Sequence, residues 1–249
     1  MPCRASPLAL ARAFRYIRRM ENPEENLTAL RARIDKLDEQ LAALLNQRIG
    51  VIREVAALKA AHWPNNCHIR PGREGQMHRA IAERFLNSEF PPLAALAIWR
   101  QLIGASTHLE SPLNIVCLNA NPEHAWLARE YFGVQIGLQL VPTLVDAFAH
   151  LRNDTSNILI LPAPINADWW KAAEGFRAAE LKIFASLPVV GDNLPVGMEG
   201  AVALAKLKPE PSGDDVSYHV HNGELVTTVG FNPEGAGYFL GAHPRPIHL

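Results

Sequence analysis

Seven side chains in the first 110 residues have types and spacings that could do chemistry. They are Arg31, Arg48 and Lys59 on one uninterrupted segment, the neighbours Arg73 and Glu74, and Ser106 with Glu110 four residues on. Guanidinium and ammonium groups make charge-assisted hydrogen bonds, and carboxyl and hydroxyl groups can accept or donate beside them. In a helix at about 100° per residue, Arg48 and Lys59, eleven apart, return to within about 20° of the same face. Arg31 precedes Arg48 by seventeen and falls about 100° off that face, so it addresses a different neighbour, such as a partner's pocket in a dimer. On the helix alone, solvated surface charge is the simpler reading of all three. Arg73 and Glu74 follow Pro71-Gly72 in the first turn of a second helix, where an acid also caps the helix dipole. Ser106 and Glu110 share a face beside Gly104-Ala105, small residues that admit a close neighbour.

The elements that must carry these groups follow from periodicity. Residues 26–61 repeat apolar side chains at intervals of three and four, from Leu30, Ile34, Leu37 and Leu41 to Val55 and Leu58, without a Gly-Pro break. Such a helix spans about 50 Å at 1.5 Å per residue, longer than a small domain is wide, so part of its stripe needs a second chain. The segment His62-Trp63-Pro64-Asn65-Asn66 reads as a turn. A second helix is expected from Pro71 to near Asn87, and a third from Pro92 to the break at Glu110-Ser111-Pro112. From Leu113 the pattern changes to short apolar runs separated by helical stretches, which predicts an α/β layer with a mainly parallel sheet. A β-rich end follows, with Asn222-Gly223 as a hairpin turn. The predicted fold class is therefore α plus α/β in two domains.

Composition narrows the partners. The chain of 249 residues has 24 basic and 25 acidic side chains, and no Lys/Arg block after the first twenty residues, so neither nucleic acid nor a lipid surface is indicated. A small molecule or a protein is the expected partner. Three widely spaced cysteines, Cys3, Cys67 and Cys117, form neither a disulfide framework nor a zinc pattern and fit a reducing cytoplasm. No apolar run approaches the ~18 residues of a membrane span. Residues 1–22 are expected to be a disordered extension: their five Arg without an acid before Met20 imitate a transit peptide, while Met20 itself resembles a cytosolic start.

The order of the charged positions carries a resemblance. LTALRARIDKLDEQLAALLNQR, continuing to IGVIREVAALK, resembles the first helix of the all-helical chorismate mutases. RPGREGQMHRAI and IWRQLIGASTHLE resemble that family's later segments, so about a third of the chain is covered. The resemblance implies a three-helix, intertwined homodimer over residues 23–111 that converts chorismate to prephenate by an intramolecular Claisen rearrangement, with no cofactor or metal. It implies that Arg48, with Arg31 from the other chain, binds the substrate carboxylates, and that Lys59 donates to the ether oxygen as the C–O bond breaks. Glu74 would accept from the ring hydroxyl, Arg73 would support the pocket and Ser106 would contact a carboxylate. Where many members have Gln, this chain has Glu110, which as an anion would repel the developing charge and so must act protonated. Arg70, where some members have Asp, has no assigned role.

Residues 112–249 resemble, more faintly, prephenate dehydratase and its periplasmic-binding-protein-like fold. The motif that enzyme needs falls at Glu199-Gly200-Ala201, and its Asn-Ser segment is replaced by Leu161-Pro162-Ala163-Pro164, so dehydratase activity is not expected. The resemblance as a whole implies a cytoplasmic isomerase of the shikimate pathway and aromatic amino-acid biosynthesis. An isochorismate pyruvate lyase-like enzyme and a non-catalytic regulatory or scaffolding subunit are the alternatives. His219 and His221 share a strand face without a third ligand and are expected at the surface. Trp169-Trp170 is expected to pack a helix on the sheet.

Overall fold

In the computed structural model, the structure describes residues 23–62, 69–120, 123–153, 157–191, 194 and 198–249. The predicted extension at 1–22, most of the predicted turn at 62–66, Cys3 and Cys67 lie outside the described residues. The chain divides into two units, one ending at Val51 and one running from Ile52 to Leu249.

Helix α1 (Pro23–His62) is continuous through that division and carries Glu24 and Glu25 in its first turn and Lys59 and His62 in its last, as its dipole favours. In the first unit its large apolar side chains are exposed, Ile34, Leu37, Leu41 and Leu44 among them.

In the second unit, α2 (Pro71–Phe85) and α3 (Pro92–Glu110) each begin on a proline, whose fixed φ suits a first turn where the missing N–H costs nothing. They are followed by β1 (Asn114–Leu118), α4 (Glu123–Phe132), β2 (Gly137–Val141), α5 (Leu144–Asn153) and β3 (Asn157–Pro162). A 3₁₀ turn (Trp169–Ala172), α6 (Ala173–Ala178), β4 (Lys182–Leu187), β5 (Ala201–Ala205), β6 (Asp215–His221), β7 (Glu224–Val229) and β8 (Tyr238–Pro244) complete the order.

The strands form one sheet in the order β2-β1-β3-β5-β4-β8-β6-β7. The mainly parallel sheet expected from the sequence is a mixed one. β1 pairs in parallel with β2 and β3, each reached through a helix, and β4 pairs in parallel with β8. β5 instead runs antiparallel between β3 and β4, because no helix among the described residues carries the chain across the sheet between β4 and β5. The terminal hairpin adds the antiparallel pairs β6–β7 and β6–β8. Its turn has φ of 51° at Asn222 and 80° at Gly223, the left-handed geometry that matches strand twist.

Alternate strand residues feed two cores, as the period of two requires. Ile115, Cys117, Ile158 and Ile160 face α4 through Leu127, Ala128 and Phe132. Val116, Leu159 and Leu161 face the other side with Phe148 and Leu151 of α5, Trp170 and Phe176. Trp169 donates from Nε1 to the Pro162 carbonyl oxygen at 2.8 Å, so the tandem tryptophans pack the helical turn on the sheet as expected. Cys117 is buried, which pushes its thiol up to about 12. Among the described residues no helix is long and apolar enough to cross a membrane.

Helices α2 and α3 pack on this α/β layer, at places where a side chain would not fit. A Cβ on Gly104 would lie 2.2 Å from the Phe132 carbonyl oxygen, so α3 meets the end of α4 backbone to backbone. The close neighbour anticipated beside Gly104 is thus part of the fold.

Candidate active site

Lys59, in the last turn of α1, forms an ion pair with Glu110, the last residue of α3. The side chains are 22% and 12% exposed, respectively, so the pair is partly withdrawn from water yet open to a ligand. An ammonium has three donors, and a carboxylate partner that takes one of them orients the group without exhausting it. Ser106 lies one turn before Glu110 on α3 and is buried, with its Oγ donating to the Leu102 carbonyl oxygen at 2.5 Å.

At the start of α2 the Arg73 side chain is exposed and Glu74 is buried. Glu74 accepts from Arg100 Nη1 at 2.9 Å. Arg100, only 4% exposed on α3, also donates from Nε to the Tyr131 carbonyl oxygen at 2.8 Å and approaches His78 Nε2 at 2.8 Å. Its guanidinium carbon stands 3.6 Å from the centre of the Tyr131 ring, a cation–π contact strengthened by desolvation. Burial, followed by the charges of Arg100 and Arg79, holds His78 well below the ordinary histidine range. It is therefore a neutral ring at physiological pH, and Arg100 is the cation set against two carboxyl groups, Glu74 in direct contact and Glu130, whose carboxyl burial raises while the charge of Arg100 lowers it. Sequence reasoning identified Glu74 but not Arg100 or His78. The available signal was that each interrupts an apolar face, Arg100 between Leu96 and Ile103 on α3, and His78 before Ile81 and Ala82 on α2.

Arg70 just before α2 is held by Glu210, with Nε at 2.7 and 2.9 Å from the two carboxylate oxygens. In the first unit, Arg31 is exposed, and Arg48 is half-buried with its guanidinium lowered from its ordinary value by burial. The structure thus brings Lys59 to Glu110 and gives Glu74 an internal partner.

The two segments at which the dehydratase resemblance fails lie side by side. Pro162 pairs with Ala201, and Ala163 N–H donates to the Gly200 carbonyl oxygen at 3.0 Å. Apart from the exposed Glu199, no side chain of either segment can exchange a proton. His219, expected at the surface, is buried, whereas His221 is exposed. A bulge between Tyr218 and His219, where β6 meets β8, and the ring of Phe239 5.2 Å away account for the difference. Among the described residues no three His, Cys, Asp or Glu side chains gather as metal ligands.

Residues 30–111 match the family model described as chorismate mutase type II. The chain is 28% identical over 145 residues to the bifunctional chorismate mutase/prephenate dehydratase of Aquifex aeolicus (strain VF5), covering 55% of this chain and 39% of that protein. Its likeness to the bifunctional chorismate mutase/prephenate dehydratase of Stutzerimonas stutzeri is 29% over 145 residues, with the same coverage. The matched region therefore spans about two fifths of the curated relatives. No solved structure matches the chain significantly.

Proposed function

We propose that this chain is a chorismate mutase, with residues 23–111 as the catalytic module and residues 112–249 as a dehydratase-like module that does not dehydrate prephenate. The observation that carries the reading is the meeting of Lys59 with Glu110 inside the segment that matches the mutase family model. The rearrangement is unimolecular: the ether C–O bond breaks while a C–C bond forms, and the protein need only hold the reactive conformer and stabilise charge growing on the ether oxygen. Lys59 donates to that oxygen while keeping Glu110 on another of its protons. Arg48 holds a substrate carboxylate, Arg31 of a second copy holds the other, and Arg73, Glu74 and Ser106 line the remainder.

The exposed leucine and isoleucine stripe of α1 supports a homodimer, since each such side chain gains about 1.5–3 kcal/mol when buried. The buried free thiol of Cys117 supports a reducing, cytoplasmic setting. The adjoining Leu161–Pro164 and Glu199–Ala201 segments, with no hydroxyl or guanidinium between them, support the loss of dehydratase chemistry.

The test is disappearance of chorismate in the presence of the full chain, with prephenate as product. Lys59→Ala is expected to lower kcat by about 10²–10³, the usual effect of removing a donor to developing charge. Retention of activity within about threefold in that variant would remove Lys59 from the mechanism. Pyruvate release in place of prephenate would identify a lyase, and no turnover a non-catalytic subunit. Glu110 is separately tested by pH. If it donates as an acid in the substrate complex, kcat/KM falls as pH rises and Glu110→Gln flattens the profile. A flat wild-type profile would reduce its role to orienting Lys59.

A further inference from the structure

A cleft of about 1310 Å³ in the second unit is lined by six cations against three carboxylates, Glu180, Glu210 and Glu234, in a chain of net charge −1. Its lining includes Lys59, Arg70, Arg177, Lys182, Lys206 and Lys208. Three of these are committed to carboxylates: Lys59 to Glu110, Arg70 to Glu210 and Lys206 to Glu180. Arg177 has only an exposed neighbour on its own helix, Glu174, at 3.4 Å, a pairing worth little in water. Lys182 is half-buried and has no carboxylate partner among the described residues. Its Nζ donates to the Phe239 carbonyl oxygen and stands 4.1 Å from the centre of the Tyr238 ring.

Lys182 and Arg177 share that ring, with the Arg177 guanidinium carbon 4.9 Å from its centre. Burial, followed by the charge of Arg177, pushes the Lys182 ammonium down to about 8. Two cations drawn together at a ring, one without a carboxylate partner among the described residues and the other with only the exposed Glu174, leave a repulsion that an anion in the cleft would relieve. The wall beside them is aromatic, formed by Phe231, Tyr238 and Phe239. It is also preformed: Asn232 N–H donates to Ser217 Oγ at 2.9 Å, and that hydroxyl donates to the Gly230 carbonyl oxygen at 2.8 Å. Gly237, at φ 89°, brings the loop so close to β6 that a Cβ there would lie 2.3 Å from the Val220 carbonyl oxygen. A site whose charged and apolar parts are both fixed before binding loses little affinity to ordering.

We propose that this cleft binds a small ring-bearing carboxylate, its anionic group held by Lys182 and Arg177 and its ring against the aromatic wall of Phe231 and Phe239. The cleft reaches Lys59, but the proposal rests on Lys182, Arg177 and the aromatic wall and not on the turnover proposed at Lys59. Isothermal titration of the full chain with phenylpyruvate as the probe, and with pyruvate and inorganic phosphate as ringless controls, tests it. Phenylpyruvate is expected to bind with a Kd of about 1 mM or tighter. Each control should bind at least about tenfold more weakly, because the aromatic wall contributes only to a ring. Lys182→Met, which keeps the aliphatic stem, should weaken phenylpyruvate by about tenfold or more, the usual effect of losing a charge-assisted bond.

Arg177→Gln, on an exposed helix face, should weaken binding severalfold without a cost in folding and so keeps the test sound if Lys182→Met is unstable. Equal binding of phenylpyruvate by wild type and both variants, or no binding at all, overturns the proposal. So does binding lost in Lys59→Ala but retained in Lys182→Met, which would place the probe in the mutase pocket. Chorismate turnover preserved in Lys182→Met alongside lost phenylpyruvate binding would separate the two sites.

Discussion

Replacing Arg100 by methionine is the sharpest probe of how α2 and α3 are joined to the α/β layer. The guanidinium is 4% exposed and serves Glu74 through Nη1 and the Tyr131 carbonyl oxygen through Nε. Methionine fills much of the stem's volume, so the loss is mainly electrostatic. It strands the Glu74 carboxylate, itself nearly buried, and a backbone carbonyl. Breaking a buried ion pair by removing one partner costs about 3–5 kcal/mol, and an unpaired carbonyl adds about 1–3 kcal/mol where water cannot reach it. Because the groups share one network the terms do not simply add, and about 4 kcal/mol is expected. For a unit of this size that lowers Tm by about 8–16 °C.

Urea unfolding followed by tryptophan fluorescence measures the loss, since Trp99 is the residue before Arg100. Adding Glu74→Gln removes the stranded charge and should return about 2 kcal/mol. A single variant destabilised by less than about 1 kcal/mol, or a double variant no more stable than Arg100→Met, would refute the account of this pair.

Acid should destabilise the fold through its buried histidines. His78 and His243 are both held below the ordinary histidine value, each chiefly by burial. The unfolded chain therefore binds more protons as pH falls through about 6.5, so stability is complete above that pH and is lost below it. His78→Gln should shallow the fall in Tm between about pH 7.5 and 5.5, and an unchanged slope would clear His78 of the effect. Two glycine substitutions should have opposite signs in thermal unfolding. Gly104→Ala drives a Cβ into the Phe132 backbone, at 2.2 Å from its oxygen, and should cost about 1–3 kcal/mol. Gly50→Ala meets nothing within 4 Å in mid-helix and should gain up to about 1 kcal/mol. Leu41→Lys on the exposed α1 stripe should shift sedimentation toward monomer and abolish chorismate turnover. A fully active monomer would show that no site is shared between copies.

Much of the architecture was legible because it rests on local periodicity. The helix starts at Pro71 and Pro92, the end of α3 at Glu110 and the Asn222-Gly223 hairpin all follow from single-residue backbone preferences. The direction of β5 was not legible. Ala201–Ala205 reads as a buried strand in either sense, and whether it runs with or against β3 depends on how the preceding connection crosses the sheet. At the candidate site, the family resemblance assigned Lys59 and Glu110 to one pocket, but their ion pair was not foreseen, because that reading gave Glu110 a proton and directed both groups at the substrate. Arg100 could not be placed in advance, because nothing local tells a guanidinium facing a core from one facing water. Only its place among Leu96 and Ile103 hinted that it had a buried partner. His219 was misplaced for a related reason: strand alternation assigns a face, and the Tyr218/His219 bulge together with Phe239 determines what covers it.

The glycine and arginine contacts of α3 also bear on how readily α2 and α3 could be exchanged against the α/β layer. Modules that recombine freely meet across solvated linkers, where either side tolerates a new neighbour. Here Gly104 lies against the main chain of Phe132, and Arg100 finds its acceptor on the carbonyl of Tyr131. Exchanging the second module for an unrelated one would leave a bare helical groove and a buried cation without its acceptor. Each side of the contact therefore carries residues that make sense only in the presence of the other, and neither can be exchanged in a single step without a cost in stability.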